Sequence, residues 1–314
     1  MAAYDPENKD FFAIPVPEPF VSVIVPVYND ERRIGKCISS LLEQTYPKDR
    51  YEVIIVDNGS IDGTVEIIRN YTVKLFIENN IKSSYAARNK GILESKGEII
   101  AFTDSDCIPD VDWIRKGVLR LVQDPECGLL GGKIKLFYKN PKNLNAIEVY
   151  ERVTNFRQKE DLAEHKFAST ANVFTRKTVI GKVGLFNDQL RSGGDNEWGR
   201  RIYSAGIKQT YANEVVVDHP ARYSYKEMRQ RTKRLIGGCY DQYWRNSYRA
   251  HIKESFKNVR DVLALSARLL LGMSPSEKLT GISEKIKFII ILAYVQAVGF
   301  LERTRLLIGG EPSR

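Results

Sequence analysis

Two aspartates that stand one residue apart are the clearest candidate for chemistry in this chain. Asp104 and Asp106 end the apolar run of the segment EIIAFTDSD. In an extended chain the side chains of residues i and i+2 point the same way, so these carboxylates would repel each other. A hard divalent cation offsets that repulsion and keeps positions for phosphate and water. We therefore interpret the pair as a cation site for a phosphorylated ligand, with a solvated turn as the alternative.

The segments around this pair predict how it is positioned. Solid apolar runs that are typical of strands alternate with amphipathic helical stretches over residues 21–103. This alternation predicts a parallel sheet covered on both faces, a doubly wound α/β architecture. Ligands of that architecture bind beyond the carboxyl ends of the strands. Tyr28, Asn29 and Asp57 fall at predicted strand ends, as the two aspartates do.

Length alone suggests about two domains, and a single large α/β unit with a tail is an equal alternative. The chain has 314 residues and is 43% hydrophobic, which suffices for a substantial core. Its four cysteines are scattered and it has three histidines, so we expect neither a disulfide framework nor a zinc knuckle, and a reducing, cytoplasmic compartment. No apolar run reaches the ~20 residues of a membrane-spanning helix. We predict an extended, proline-rich arm (1–20), an α/β domain (21–222) and a basic helical extension (223–314).

Seven motifs occur in an order that resembles the family 2 glycosyltransferases of GT-A fold. They are VSVIVPVYN, SLLEQTYP, VDNGSIDGT, AARNKGI, FTDSD, GGDNEWGRR and VVDHPAR, within residues 21–222. The resemblance implies a Rossmann-like, mostly parallel sheet. It also implies transfer of a sugar, with inversion, from a nucleotide-diphosphate sugar (a UDP-sugar is expected) to a hydroxyl of a glycan or glycolipid acceptor. Mn²⁺ or Mg²⁺ would be the cofactor.

The resemblance assigns a donor site residue by residue. Pro26, Tyr28 and Asn29 match the loop that lines the nucleoside pocket, where an aromatic ring can stack on a base. Asp57 matches the carboxylate that accepts a hydrogen bond from the base edge, and it could also cap the turn NGSIDG. Arg88 resembles the arginine that approaches the base and the diphosphate. The alternatives are a packing role for Tyr28 and a surface position for Arg88.

The same resemblance assigns the metal and the leaving group. Asp104 and Asp106 match the family's metal motif, in which the second aspartate usually ligates the metal and the first often meets the ribose or a metal-bound water. His219 matches a histidine that completes the metal site in some relatives, and a structural histidine is the alternative. Arg222 would neutralise the departing diphosphate, because a guanidinium matches phosphate bidentately.

Inversion needs a general base for the acceptor hydroxyl, and Asp195 is the candidate. It matches the second residue of the family's Glu-Asp pair, although the glutamate is missing and Gly194 precedes it here. Capping of the following helix is the alternative role. Glu197 is the fallback base, and Trp198 could stack on the acceptor sugar. The missing glutamate leaves a non-catalytic nucleotide-sugar-binding module as the rival function.

A sugar-phosphate nucleotidyltransferase is a second rival, and it is disfavoured. Such an enzyme shares the α/β layout but needs a glycine-rich, arginine-containing loop after the first strand, where this chain has PVYNDER.

The positive charge of the chain is concentrated near its C-terminal part. The net charge is +9, and residues 222–260 hold eleven lysines and arginines against three acidic residues. A local basic field indicates phosphates. We do not expect nucleic acid, because this segment directly follows the predicted donor site. The basic and apolar stretches 258–272 and 284–309 suit peripheral contact with an anionic membrane. A helical subdomain or a dimer face is an equal alternative, and the oligomeric state stays open.

Overall fold

The computed structural model describes residues 18–244 and 279–312. Eight strands form one sheet: β1 (Val21–Val27), β2 (Tyr51–Asp57), β3 (Lys74–Ile77), β4 (Ile99–Thr103), β5 (Ile108–Pro109), β6 (Cys127–Phe137), β7 (Asn172–Arg176) and β8 (Lys208–Pro220). The first helices are α1 (Ile34–Leu42), α2 (Thr64–Ile68), α3 (Ser84–Glu94), α4 (Trp113–Gln123) and α5 (Ala146–Thr154). They are followed by α6 (Gln158–Glu160), α7 (Lys177–Val183), α8 (Gly194–Ser204), α9 (Tyr225–Cys239) and α10 (Ile282–Leu307). Short π-helical turns follow α6 and α9.

The sheet is mixed, with a parallel first half. Its strand order is β3-β2-β1-β4-β7-β6-β8-β5. Strands β3, β2, β1 and β4 are parallel, whereas β7 runs antiparallel to both β4 and β6. Strand β6 is parallel to β8, and β5 is antiparallel to β8. The predicted α/β class is confirmed. The sequence pattern did not predict that β7 runs antiparallel to its neighbours.

Helices cover both faces of the sheet, which explains why its strands are apolar throughout. Every residue of β1 is buried. Val23 and Val25 face the cluster that contains Ile38 of α1, whereas Ile24 faces the opposite cluster with Ile92 of α3. Since strand side chains alternate between faces, a strand with two covered faces needs apolar residues at nearly every position.

The C-terminal helices pack on α5 rather than standing apart from the α/β unit. Met228 of α9 and Phe288 of α10 share an apolar cluster with Ile147 and Tyr150 of α5, and the rings of Tyr150 and Phe288 stack with centroids 5.4 Å apart. The described part of the extension is helical, as predicted. A domain boundary after residue 222 stays a prediction. Most of the predicted arm and the stretch 258–272 lie outside the described residues.

Candidate active site

Most of the predicted donor-site residues lie where the parallel strands end. Strand β1 pairs with β2 and β4, and Val27 of β1 lies opposite Asp57 of β2. The loops that follow these strands therefore open at one edge of the sheet. The structure places five predicted residues in these loops or at their start: Tyr28, Asn29, Asp57, Asp104 and Asp106.

The loop after β1 is tied to the loop after β2. Asn29 has a left-handed backbone (φ 48°), which asparagine tolerates better than most residues. Its Oδ1 accepts a hydrogen bond from the Ile61 N–H at 2.8 Å, and its own N–H donates to Ser60 Oγ at 2.8 Å. Tyr28 beside it is 46% exposed, which disfavours a packing role, whereas Pro26 is buried within β1.

Asp57 uses its two carboxylate oxygens differently. Oδ2 accepts hydrogen bonds from the backbone N–H groups of Gly59 and Ser60, each at 3.0 Å. Oδ1 is buried and finds no hydrogen-bond donor among the described residues. A buried acceptor without a donor costs about 1–3 kcal/mol, so a ligand N–H at this oxygen would recover that energy. The carboxylate therefore caps the turn and still has one oxygen for a ligand.

Arg88 holds the first aspartate of the pair. Arg88 lies on α3 and is buried, so a surface position is wrong. Its guanidinium donates to the carboxylate of Asp104 and, more weakly, to the Ser84 carbonyl at 3.4 Å. The Arg88 Nε is buried and has no acceptor among the described residues. Asp104 is therefore paired with a buried positive charge from α3.

The middle residue of the DSD motif joins two loops. Ser105 Oγ donates to Asp30 Oδ2 at 2.6 Å, and the Asp30 N–H donates to Thr64 Oγ1 at 2.8 Å. Asp30 also accepts from Arg33 Nε at 2.5 Å. Burial raises the pKa of Asp30 although Ser105 and Arg33 oppose that shift. The loop after β4 is thus attached to the loop after β1 by a buried carboxyl.

Three side chains with metal-ligand atoms lie together at the second aspartate. Ligand atoms of Asp106, Cys107 and His219 all lie within 4.8 Å of one another, and His219 Nε2 is 3.5 Å from Asp106 Oδ1. Asp104, the third residue that we assigned to the metal, is not in this group. Cys107 was not predicted, and its only sequence signal is its position directly after Asp106. A carboxylate and an imidazole suit Mn²⁺ better than Mg²⁺, which prefers oxygen ligands.

Positive side chains surround Asp106. Arg33 Nη1 is 3.2 Å from Asp106 Oδ2. Burial would raise the pKa of Asp106, but its interactions with His219, Arg33 and Arg222 outweigh it and hold that pKa below the usual value. Asp106 is therefore an ionised carboxylate near neutral pH, as a cation ligand must be.

A cleft of about 700 Å³ opens beside this group. One wall is the loop after β1, and the other is His219 with the start of α9. Five arginines line it: Arg32, Arg33, Arg222, Arg231 and Arg234. Arg222 Nη1 is 3.0 Å from Oε2 of the buried Glu151, which fixes its guanidinium at the rim. Sequence reasoning found Arg222 and the basic segment, but it did not predict that α9 forms a wall of the cleft.

Asp195 lies in the first turn of helix α8, close enough to Arg88 to interact with its charge. The N-cap of this helix is Gly193, with a left-handed backbone (φ 79°), so the capping alternative for Asp195 is wrong. Asp195 Oδ1 accepts from the Asn196 N–H at 3.0 Å. Burial raises the pKa of Asp195, Arg88 opposes that shift, and the charge of Asp104 adds to it. Asp195 and Asp104 thus both interact with the same buried guanidinium.

The two predicted acceptor residues after Asp195 face other partners. Both oxygens of Glu197 bind Arg201, at 2.6 and 3.0 Å. Trp198 is 1% exposed, and its indole Nε1 donates to the Gly184 carbonyl at 3.1 Å. Its ring packs against Phe186 with centroids 4.6 Å apart. Stacking of Trp198 on an acceptor sugar is therefore wrong, because the ring belongs to the apolar core.

The end of α9 supports the loop that leads to Asp195. Gly238 packs so closely on Ser192 that a Cβ there would lie 2.7 Å from the Ser192 Cβ. Gln242 Nε2 donates to the Ser192 carbonyl at 3.5 Å, and Arg191 is 3.8 Å from Asp241. The C-terminal helices therefore contact the site twice, at the cleft wall and at this loop.

Comparison with known proteins gives consistent matches. Residues 22–184 match the family model described as Glycosyl transferase family 2. Glycosyltransferase AglE of Haloferax volcanii is 39% identical over 262 residues, and the match covers 82% of each chain. The dolichyl N-acetyl-alpha-D-glucosaminyl phosphate 3-beta-D-2,3-diacetamido-2,3-dideoxy-beta-D-glucuronosyltransferase of Methanococcus voltae is 24% identical over 227 residues, 68% of this chain and 70% of that one.

A solved structure supports the fold. The mannosyltransferase PcManGT from Pyrobaculum calidifontis, in complex with GDP-Man and Mn²⁺, superposes with a TM-score of 0.64 at 20% identity. The superposition covers 93% of this chain and 88% of that one.

Proposed function

Because the chain belongs to glycosyl transferase family 2, and is a glycosyltransferase of GT-A fold that uses nucleotide-sugar donors, we propose that it transfers with inversion. The donor would be a nucleotide-diphosphate sugar, with a UDP-sugar as the first expectation, and the acceptor a hydroxyl group of a glycan or glycolipid. The observation that carries this proposal is the arrangement of Asp106 and Asp195. One carboxylate lies at an arginine-lined cleft, and the other interacts with Arg88, the partner of Asp104.

The nucleoside would bind at the ends of β1 and β2. The exposed ring of Tyr28 offers a stacking face, with Pro26 and Asn29 shaping the loop around it. Oδ1 of Asp57, which has no donor among the residues that the structure describes, would accept a hydrogen bond from an N–H on the base edge. Such a contact is specific, because a base without that N–H would leave the buried oxygen unpaired.

The diphosphate would bind between the metal-binding group and α9. Asp106 and His219 would hold Mn²⁺, and Asp104 would meet the ribose. When bound, the cation would neutralise charge on the departing nucleoside diphosphate. Arg222, whose guanidinium is fixed by Glu151, would bind the same phosphates bidentately. In the relative from P. calidifontis the complex holds GDP-Man and Mn²⁺, which supports this choice of cation.

Asp195 would accept the proton of the acceptor hydroxyl. Its raised pKa makes it a stronger base than an ordinary aspartate. Gly194 packs so closely on Tyr85 that a Cβ there would lie 2.8 Å from the ring, so the backbone before Asp195 is held against α3. The positive charge of Arg88 would stabilise the Asp195 carboxylate until it accepts the proton of the acceptor hydroxyl.

Asp195→Asn tests the proposal. We expect transfer to fall by about 10²–10⁴-fold, the usual share of a general base, while donor affinity in the presence of Mn²⁺ is retained. Asp188→Asn, an exchange in the preceding loop, is the matched control and should be neutral.

The pH dependence of transfer gives a second test. The parent enzyme should lose activity as pH falls through the raised pKa of Asp195, and this loss of activity at low pH should be absent in Asp195→Asn. Equal transfer rates for Asp195→Asn and the parent would refute the assignment. If only Glu197→Gln lost transfer, the general base would be Glu197.

The proposal includes peripheral contact with an anionic membrane on its cytoplasmic face. The relative from M. voltae acts, by its name, on a dolichyl phosphate compound, which supports a lipid-linked acceptor here. Among the described helices none is long and apolar enough to cross a membrane.

A further inference from the structure

Helix α10 presents an apolar stripe to solvent. Its exposed apolar residues recur every three or four positions along one face: Ile282, Ile286, Ile290, Ala293, Ala297, Phe300 and Leu301, with Ile308 just after the helix. The opposite face, with Phe288 and Ile291, is buried against α5 and α9. The helix has 26 residues and is therefore roughly 39 Å long. We call this exposed face the α10 stripe.

A groove lined with cations runs beside the α10 stripe. It has a volume of about 490 Å³ and is lined by Tyr225, Lys226, Arg229, Gln230, Lys233 and Tyr294. The rings of Tyr225 and Tyr294 meet edge to face with centroids 5.0 Å apart, and the Tyr294 hydroxyl donates to the Tyr225 carbonyl at 3.3 Å. We call it the α9–α10 groove.

The cations of the groove form a second basic face of α9. Lys226, Arg229 and Lys233 are spaced as neighbours on one helix face, whereas Arg231 and Arg234 line the cleft. Lys233 is 3.7 Å from Glu302, but Lys226 and Arg229 have no carboxylate within 4.0 Å among the residues that the structure describes. Within the described residues these two positive charges therefore have no acidic partner, and the proposed diphosphate site does not use them.

The groove and the stripe form one continuous surface. Tyr294 lies one helical turn after Ile290, so it stands between the cations and the exposed isoleucines. Cations bind lipid phosphates, tyrosine prefers the interfacial region, and an apolar helix face enters the boundary of the acyl chains. We propose that the α9–α10 groove binds phosphate groups of anionic lipids while the α10 stripe lies in the membrane interface. This inference rests on the proposed membrane contact and names the surface that makes it.

A second copy of the chain fits this surface less well. In a symmetric dimer the same patch meets itself, so the cations of two α9–α10 grooves would approach each other. Interfaces between protein chains are also depleted in lysine relative to the rest of the surface. An anionic membrane supplies the opposite charge and the apolar layer together.

Vesicle sedimentation tests the proposal on the full chain. We expect binding to phosphatidylcholine vesicles that contain phosphatidylglycerol, no binding to pure phosphatidylcholine, and weaker binding as salt rises. The double variant Lys226→Ala/Arg229→Ala should lower the partition coefficient about thirtyfold, since each basic residue near an anionic surface contributes about 1 kcal/mol. Arg69→Ala/Lys182→Ala removes the same charge from exposed sites elsewhere and should bind like the parent.

Separate variants test the apolar contribution of the α10 stripe to vesicle binding. Ile286→Ser/Ile290→Ser should bind at low salt and be released at moderate salt, because only the electrostatic contribution remains. Leu93→Ser, at an exposed leucine of α3, is the control and should bind like the parent. Absence of vesicle binding, equal binding by the groove variant and the parent, or a dimer in light scattering that the isoleucine variant dissociates would each overturn the proposal. Soluble donor affinity is measured on the same variants and should be unchanged, so failure of the membrane surface and failure of the proposed reaction are distinguishable.

Discussion

Arg33 forms ion pairs with two carboxylates of the candidate site. Its guanidinium reaches both Asp30, at 2.5 Å, and Asp106, at 3.2 Å. Asp106 is also the carboxylate that we assign to the cation. Arg33 thus balances the charge that the cation would balance in the donor complex. Because its side chain is half exposed, it can turn from Asp106 toward a diphosphate in the cleft.

Arg33→Gln should therefore have opposite effects on two ligands. We expect Mn²⁺ to bind about fivefold more tightly without a donor, since one competing charge near a partly exposed carboxylate is removed, at roughly 1 kcal/mol. Binding of a nucleoside diphosphate should weaken, and transfer should fall. Calorimetric titrations with Mn²⁺ and with UDP measure both affinities. Arg32→Gln, at the exposed neighbour in the same cleft, is the control for Mn²⁺ binding. A purely structural role for Arg33 would weaken both ligands, which would contradict this account.

At the scale of elements, the close contact between α4 and β7 fixes how the second half of the sheet packs. Gly117 of α4 faces Phe174 of β7, and a Cβ at Gly117 would lie 2.5 Å from the Phe174 ring. Trp113, one turn earlier, packs on the same ring with centroids 4.6 Å apart and donates from its Nε1 to Asn172 at 2.9 Å. An aromatic layer of this kind leaves no room for a methyl group.

Gly117→Ala should lower the free energy of unfolding by about 1–3 kcal/mol, the usual cost of overpacking a core. Gly181→Ala in α7 is the matched control, because a Cβ there meets nothing within 4 Å. It should stabilise by about 0.4–1 kcal/mol through the unfolded chain. Denaturant titrations compare the two variants, and equal stability would show that α4 can shift away from β7.

The sequence pattern predicted the strands and helices better than the contacts between them. Strand ends and helix faces depend on local apolar periodicity, so β1, β2, β4 and the residues that follow them were predictable. The reversal of β7 was not, because an apolar strand buried on both faces has the same pattern in either direction. The burial of Trp198 and the grouping of Cys107 with His219 depend on contacts between distant segments, which periodicity does not contain. The wall that α9 adds to the cleft was missed for the same reason.

At the scale of the whole molecule, the C-terminal helices and the α/β unit depend on each other. The cluster around Phe288 and Tyr150 joins α10, α9 and α5, and α9 then forms the cleft wall and supports the loop before Asp195. Stability and donor binding should therefore respond together to changes far from the donor.

Phe288→Ala tests this dependence. Removing the buried ring should cost about 3–5 kcal/mol of unfolding free energy and weaken donor binding, because α9 loses its support. Phe300→Ala, at an exposed position of the same helix, should change stability by less than about 0.5 kcal/mol. Thermal denaturation with and without UDP and Mn²⁺ measures both quantities. A destabilised variant with unchanged donor affinity would favour an independent unit after residue 222.

The hydrogen bond from Ser105 to Asp30 has a consequence for how such an enzyme can diversify. The middle residue of the DSD motif is a structural link, because it joins the loop to which we assign the nucleobase to the loop to which we assign the cation. A substitution that moves one of these loops would displace the other through this hydrogen bond. Under these assignments we expect a variant with a new base preference to change its ion preference as well, unless the hydrogen bond between Ser105 and Asp30 is removed.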